Sequence, residues 1–214
     1  MTLKQIENSQ KNIGWDLGNE VLYDLCSNNF THDTSEKILA KTWLIGRAYA
    51  AAIERRKNKS GINDNFYLKT VSAAFKKSKL DKILAELRNL NEISNHSIPQ
   101  IIKAHYYLTQ ILFHITELEK RSFSSKYLHF HLPDLFFIYD SRAALALQLF
   151  IKKLPKDLQI LADRKNTDKK YSIFYYKCFV LRQEIYDRFK ILLTPRQIDN
   201  LLIQVANNEK GKSK

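Results

Sequence analysis

Glycine and proline are scarce in this chain, five and four residues out of 214, about 4% where an average protein carries roughly 12%. Sandwiches, barrels and propellers place these residues at turns every ten residues or so, and their shortage argues against an all-β architecture. No GxGxxG or GxxxxGK[ST] stretch occurs, so the glycine-rich phosphate loops are absent. Two cysteines, Cys26 and Cys178, supply neither a disulfide framework nor a cysteine-built zinc site. They read as reduced core cysteines of an intracellular protein. No run approaches 18 apolar residues. The nearest, Ala143–Ile151, is interrupted by Gln148, so no membrane span is expected. The first residues lack the apolar stretch of a secretory signal, and a cytoplasmic location is expected.

Positive charge is abundant. Lys and Arg outnumber Asp and Glu by 35 to 22, a formal net charge of +13 and a pI near 9.6. Such a surplus opposes compaction by self-repulsion unless a polyanion is the usual partner, and nucleic acid is the first candidate. The basic residues cluster at Arg55-Arg56-Lys57-Asn-Lys59, Lys76-Lys77-Ser-Lys79, Lys120-Arg121, Lys152-Lys153, Arg164-Lys165 and Lys169-Lys170. Lysines at helix ends also answer the helix dipole. Six clusters with little acidic interleaving nevertheless favour a shared face that tracks phosphates.

Apolar spacing is helical almost throughout and no segment alternates as a strand, which predicts an all-α, compact multi-helix bundle. Residues 1–207 are expected to form one domain, arranged as up to two helical subdomains around a cleft, with 208–214 a basic flexible tail. Asp33-Thr-Ser-Glu36 opens a long helix expected to run to about Lys57. Further helices are expected at Leu17–Ser27, Phe66–Ser78, Leu80–Ile93, Ile98–Leu118, Ser122–Phe130, Ser141–Lys152, from Asp168 onward, and at Pro195–Ala206, where Thr194-Pro195 is an N-cap followed by Pro at the first helical position.

One stretch stands apart: Lys120-Arg-Ser122-Phe-Ser124-Ser125-Lys126-Tyr-Leu-His129-Phe-His131-Leu-Pro133-Asp-Leu-Phe-Phe-Ile-Tyr139-Asp140-Ser-Arg142. It reads as a short helix, a Pro-marked turn, an apolar run and an Asp that opens a new helix. Amides and hydroxyls at Ser122, Ser124 and Ser125 form a candidate phosphate site at a helix N-terminus. Asp140 ends an apolar run, so its carboxylate arrives at the edge of a hydrophobic interior, where it also serves as an N-cap. His129 and His131 lack the i, i+4 spacing of a helical metal pair and read as structural; no metal site and no cofactor are expected.

This segment resembles the one that follows the hairpin in the helix-hairpin-helix DNA glycosylase superfamily, and more closely its small bacterial members that remove modified cytosines from phage DNA. The resemblance covers about 25 residues. It implies a helix-hairpin-helix glycosylase-like fold in a monomer that acts on double-stranded DNA with modified bases, glucosylated hydroxymethylcytosine among them, in anti-phage defence. It makes Asp140 the catalytic carboxylate. The family's Gly-rich hairpin is missing, since no glycine lies between Gly61 and Gly211, and the serines then stand in for its amides. The family's Schiff-base lysine position falls near Arg121, which cannot form an imine. This favours a monofunctional enzyme, with Lys126 and Lys120 as alternative nucleophiles. DNA contacts are expected from Arg121, Arg142, Arg55 and Arg56 as well. A flipped-base pocket is expected to draw on Trp43, Arg47, Tyr49, Tyr127, His129 and Tyr139. The alternative is a non-catalytic nucleic-acid-binding module. A helical nuclease toxin finds no support, because no Arg-x-x-x-x-His motif is present.

Overall fold

The structure, a computed structural model, describes residues 1–11, 14–55, 65–90 and 92–212. Among them there is no strand. The helices are α1 (Leu3–Gln10), α2 (Asp16–Asn28), α3 (Ser35–Ala48), a π-helical turn over Phe66–Val71 that runs into α4 (Ser72–Lys76), α5 (Leu80–Arg88), α6 (Ile98–Thr116), α7 (Arg121–His131), α8 (Ser141–Phe150), α9 (Lys156–Ala162), α10 (Lys169–Phe189) and α11 (Pro195–Lys212). The short helices α1 and α9 are additions to the expected set. No described helix is long and apolar enough to cross a membrane.

Capping side chains fix many of the starts. The hydroxyl of Thr34 accepts from the Lys37 amide, and the carboxylates of Asp140 and Asp168 accept from the amides of Arg142 and Tyr171. At α11 the pair is reciprocal: Thr194 Oγ1 accepts from the Gln197 amide at 3.2 Å and Gln197 Oε1 accepts from the Thr194 amide at 2.9 Å. Each such cap contributes about 1 kcal/mol. Helix α11 runs to Lys212, into the basic stretch expected from 208.

The helix expected to reach Lys57 stops at Ala48. Ala50 takes a left-handed φ of 49°. Its amide donates to the carbonyl of Arg47, and that of Ala51 to the carbonyl of Gly46, closing a Schellman-type end without the usual glycine. The returning chain explains Gly46: a Cβ there would sit 3.2 Å from Ala52 Cα. The glycine is needed where the chain passes back over the helix.

At the centre lies α7. From Phe123 to His131 every residue is buried, enclosed by α2, α3 and α6. A helix without a solvent face needs a partner for every polar group it carries. Several of those partners come from the segment that follows, and others from Tyr23, His32 and Lys41. Leu135–Ile138 are buried but not helical, so apart from a turn bond from Leu135 N to Leu132 O at 3.1 Å their backbone groups lack helical partners. Side chains satisfy three of their carbonyls. Tyr175 donates its hydroxyl to Leu135 O at 2.5 Å and Tyr171 to Phe137 O at 3.0 Å, and His129 Nδ1 lies 2.8 Å from Phe136 O. At the end of the run, Lys126 Nζ donates to Tyr139 O at 2.9 Å and Ser125 Oγ accepts from Tyr139 N at 2.9 Å. The next residue is Asp140. Helices α7 and α10 therefore hold the backbone leading to Asp140 in place through five side chains.

Candidate functional site

Asp140 caps α8. Its Oδ1 accepts from the Arg142 amide at 2.9 Å and lies 3.3 Å from Arg142 Nε. The side chain is 28% exposed. Burial pushes its pKa up, but the Arg142 amide together with the charges of Lys126 and Arg142 outweighs this, and the carboxyl is held below its ordinary range.

Lys126 is 2% exposed. Its Nζ also donates to Ser122 Oγ at 2.6 Å and sits 5.8 Å from the centre of the Tyr49 ring. Burial lowers its pKa, and Asp199 and Asp140 partly restore it. Asp199, on α11, is almost fully buried. Burial raises its pKa to about 6 against the pull of Arg196 and Lys126, and the negative charge of Asp140 adds to the rise. Two carboxyls around one lysine are thus driven in opposite directions, an arrangement that separates a permanent anion from a proton carrier near neutral pH.

Arg196 completes the group. Its guanidinium lies 5.5 to 5.9 Å from the ring centres of Phe130, Tyr49 and Tyr23. Its Nε donates to Tyr23 Oη at 3.1 Å, and Nη1 lies 3.4 Å from Asp199 Oδ2. Tyr23 Oη in turn meets His129 Nε2 at 2.7 Å, and the Tyr49 hydroxyl donates to Asn19 Oδ1. Arg196 Nη2 and Asp199 Oδ1 are buried without a hydrogen-bond partner among the described residues. An unfilled donor beside an unfilled acceptor leaves the site with polar capacity for a ligand or water.

The structure brings Asp140, Lys126, Arg142, Tyr49, His129 and Tyr139 into one neighbourhood. Ser122 and Ser125 also meet this group, Ser122 Oγ accepting from Lys126 and Ser125 Oγ from Tyr139 N, but Ser124 and Ser125 are fully buried and face the interior. The other expected residues lie elsewhere. Arg121 is tied to Asp168, with Nε 2.6 Å from Oδ2, and to Glu119 at 2.7 Å; it joins α7 to the start of α10. Lys120 donates to the carbonyls of Arg55 at 2.6 Å and Ala52 at 3.3 Å. The Arg55 side chain is exposed, and Arg56 lies outside the described residues.

Trp43 and Arg47 form a separate surface group, with the guanidinium 5.9 Å from the Trp43 ring and 2.5 Å from Glu54. Tyr127 belongs to a second buried network. Its hydroxyl meets His32 Nε2 at 2.6 Å, and His32 Nδ1 pairs with Asp81. Lys41 Nζ contacts His131 Nε2 at 3.1 Å and donates to the carbonyls of Asn29 at 2.6 Å and Thr31 at 3.1 Å. Lys41 thereby ties down the end of α2, a structural task. Among the described residues no group of three or more His, Cys, Asp or Glu could hold a metal ion.

Asn19, Tyr23, Arg196 and Asp199 were not singled out by sequence reasoning, since they come from opposite ends of the chain. Arg196 and Asp199 did carry a signal. They flank Ile198 on a helix whose buried stripe continues through Leu201, Leu202 and Val205, and charges beside a buried stripe need a reason. No family model, curated protein or solved structure matches this chain.

Proposed function

We propose that this chain binds double-stranded DNA and hydrolyses the N-glycosidic bond of a modified base, leaving an abasic site. The observation that carries the reading is the placement of Asp140: an ionised, partly exposed carboxylate, held at its Oδ1 and through the carbonyl of the preceding Tyr139, beside the buried Lys126 and Asp199 and the partly buried Arg196. In the reaction, water oxygen bonds to C1′ as the C1′–N bond breaks. The departing base takes the bonding pair and a proton, and positive charge builds on the sugar on the way. A fixed carboxylate stabilises that charge and orients the water. Tyr49 and Tyr23, both partly buried, offer rings to a base turned out of the duplex, while His129 is fully buried with both ring nitrogens engaged and supports Tyr23 from behind. The resemblance around Asp140 and the net charge of +13 favour the same reading.

Lys126 acts here as a positioning residue. Its ammonium is engaged by Ser122 and by the carbonyl next to Asp140, which favours a monofunctional enzyme over imine chemistry. The test is incubation of the protein with duplexes carrying cytosine, hydroxymethylcytosine or glucosylated hydroxymethylcytosine, followed by alkali. Strand breaks at modified positions support the reading. DNA binding without breaks on any of the three would leave a non-catalytic nucleic-acid-binding module.

A further inference from the structure

Helix α9 stands between two grooves. The larger, of about 540 Å3, is lined by Lys152, Lys153, Lys156 and Lys177 around Leu154 and Ile173. The smaller, of about 210 Å3, carries Lys103, Arg164 and Lys165. Neither is lined by a carboxylate. The acids of α9 do not enter: Asp163 pairs with Lys169 at 2.7 Å, and Asp157 does not line either groove. Among the described residues none of the four lysines of the larger groove pairs with a carboxylate. Lys177 is half-buried there. Its Nζ donates to the carbonyl of Lys152 at 2.9 Å, and burial lowers its pKa. A concave wall of cations with no internal counter-charge repels itself until an anion enters.

We propose that the groove between α9 and α10 is a second DNA contact, in which Lys152, Lys153, Lys156 and Lys177 hold phosphates of the strand away from the reacting base. This rests on the reading of the chain as a DNA-acting protein. The spacing suits it. Helix α8 runs from Asp140 to the Lys152 end of the groove, ten residues or about 15 Å. That is roughly four base-pair steps, a separation within the length of one short duplex. Concavity favours a phosphodiester ridge over a flat lipid surface.

The test is the salt dependence of binding to an unmodified 20-base-pair duplex, followed by fluorescence anisotropy. The proteins compared are the parent, Lys153→Gln/Lys156→Gln and Lys177→Gln. Removal of two phosphate contacts should flatten the slope of log K against log salt by about two and weaken binding at 50 mM salt by roughly tenfold. Lys177→Gln should flatten it by about one. Parental slope and affinity in both groove variants overturn this contact and leave the proposed activity standing. Loss of binding to phosphatidylserine vesicles, with duplex binding unchanged, assigns the groove to membranes and also overturns it. A parent that does not bind duplex at low salt overturns the DNA reading itself.

Discussion

Ser124 and Ser125 are neighbours on α7, both fully buried, and truncating each to alanine deletes the same atom. Their surroundings differ. Ser125 Oγ accepts from Tyr139 N at 2.9 Å and donates to Ser122 O at 3.0 Å. Ser124 Oγ has no partner among the described residues. Ser125→Ala strands the Tyr139 N–H in the interior, which costs about 1–3 kcal/mol. At roughly 2–4 °C per kcal/mol for a chain of this size, Tm should fall by about 2–12 °C. Ser124→Ala removes a hydroxyl that is already unsatisfied, so it should be neutral or stabilising by up to about 1 kcal/mol. Urea and thermal unfolding of the two variants beside the parent measure the contrast. Equal losses, or a larger loss for Ser124→Ala, would refute the argument that side chains of α7 satisfy the backbone leading to Asp140. Ser125→Ala should in addition impair excision, since the amide it releases precedes Asp140.

Acid should destabilise the protein early. Burial holds His32 and His105 near pKa 4, below the unfolded value of about 6.5, so their contribution is full above pH 6.5 and is lost as pH falls toward 4. Asp199, raised to about 6, works in the opposite sense and gains on protonation. The net loss between pH 7 and pH 5 is roughly 2 kcal/mol or more, and a flat urea midpoint over that range would contradict it. Lys126 should form no imine, so borohydride should trap no protein–DNA adduct; an adduct that disappears in Lys126→Ala would make it the nucleophile. The groove variants should lose salt-sensitive binding as described above.

Much of the scaffold is written in local signals. Thr34, Asp140, Asp168 and Thr194 announce helix starts because each places an oxygen over free amides. Helix ends are less legible. The stop at Ala48 depends on Ala50 accepting a left-handed φ under tertiary packing, with no glycine at that position to mark it. The site follows the same division. Asp140 and Lys126 stand out in one stretch of sequence, whereas Arg196 and Asp199 reach them only through the packing of α11 against α8. Polar spacing at Ser122–Ser125 marks a helix start but does not reveal that the helix is buried from Phe123 onward.

The most direct measurement is single-turnover excision by Asp140→Asn on a modified duplex. Asn keeps the size and the cap and removes the charge that faces the developing cation. The variant should fold and bind DNA like the parent while excision falls at least about 100-fold, or roughly 2.7 kcal/mol. Excision at the parental rate by a folded Asp140→Asn protein would reduce Asp140 to a helix cap and contradict the account.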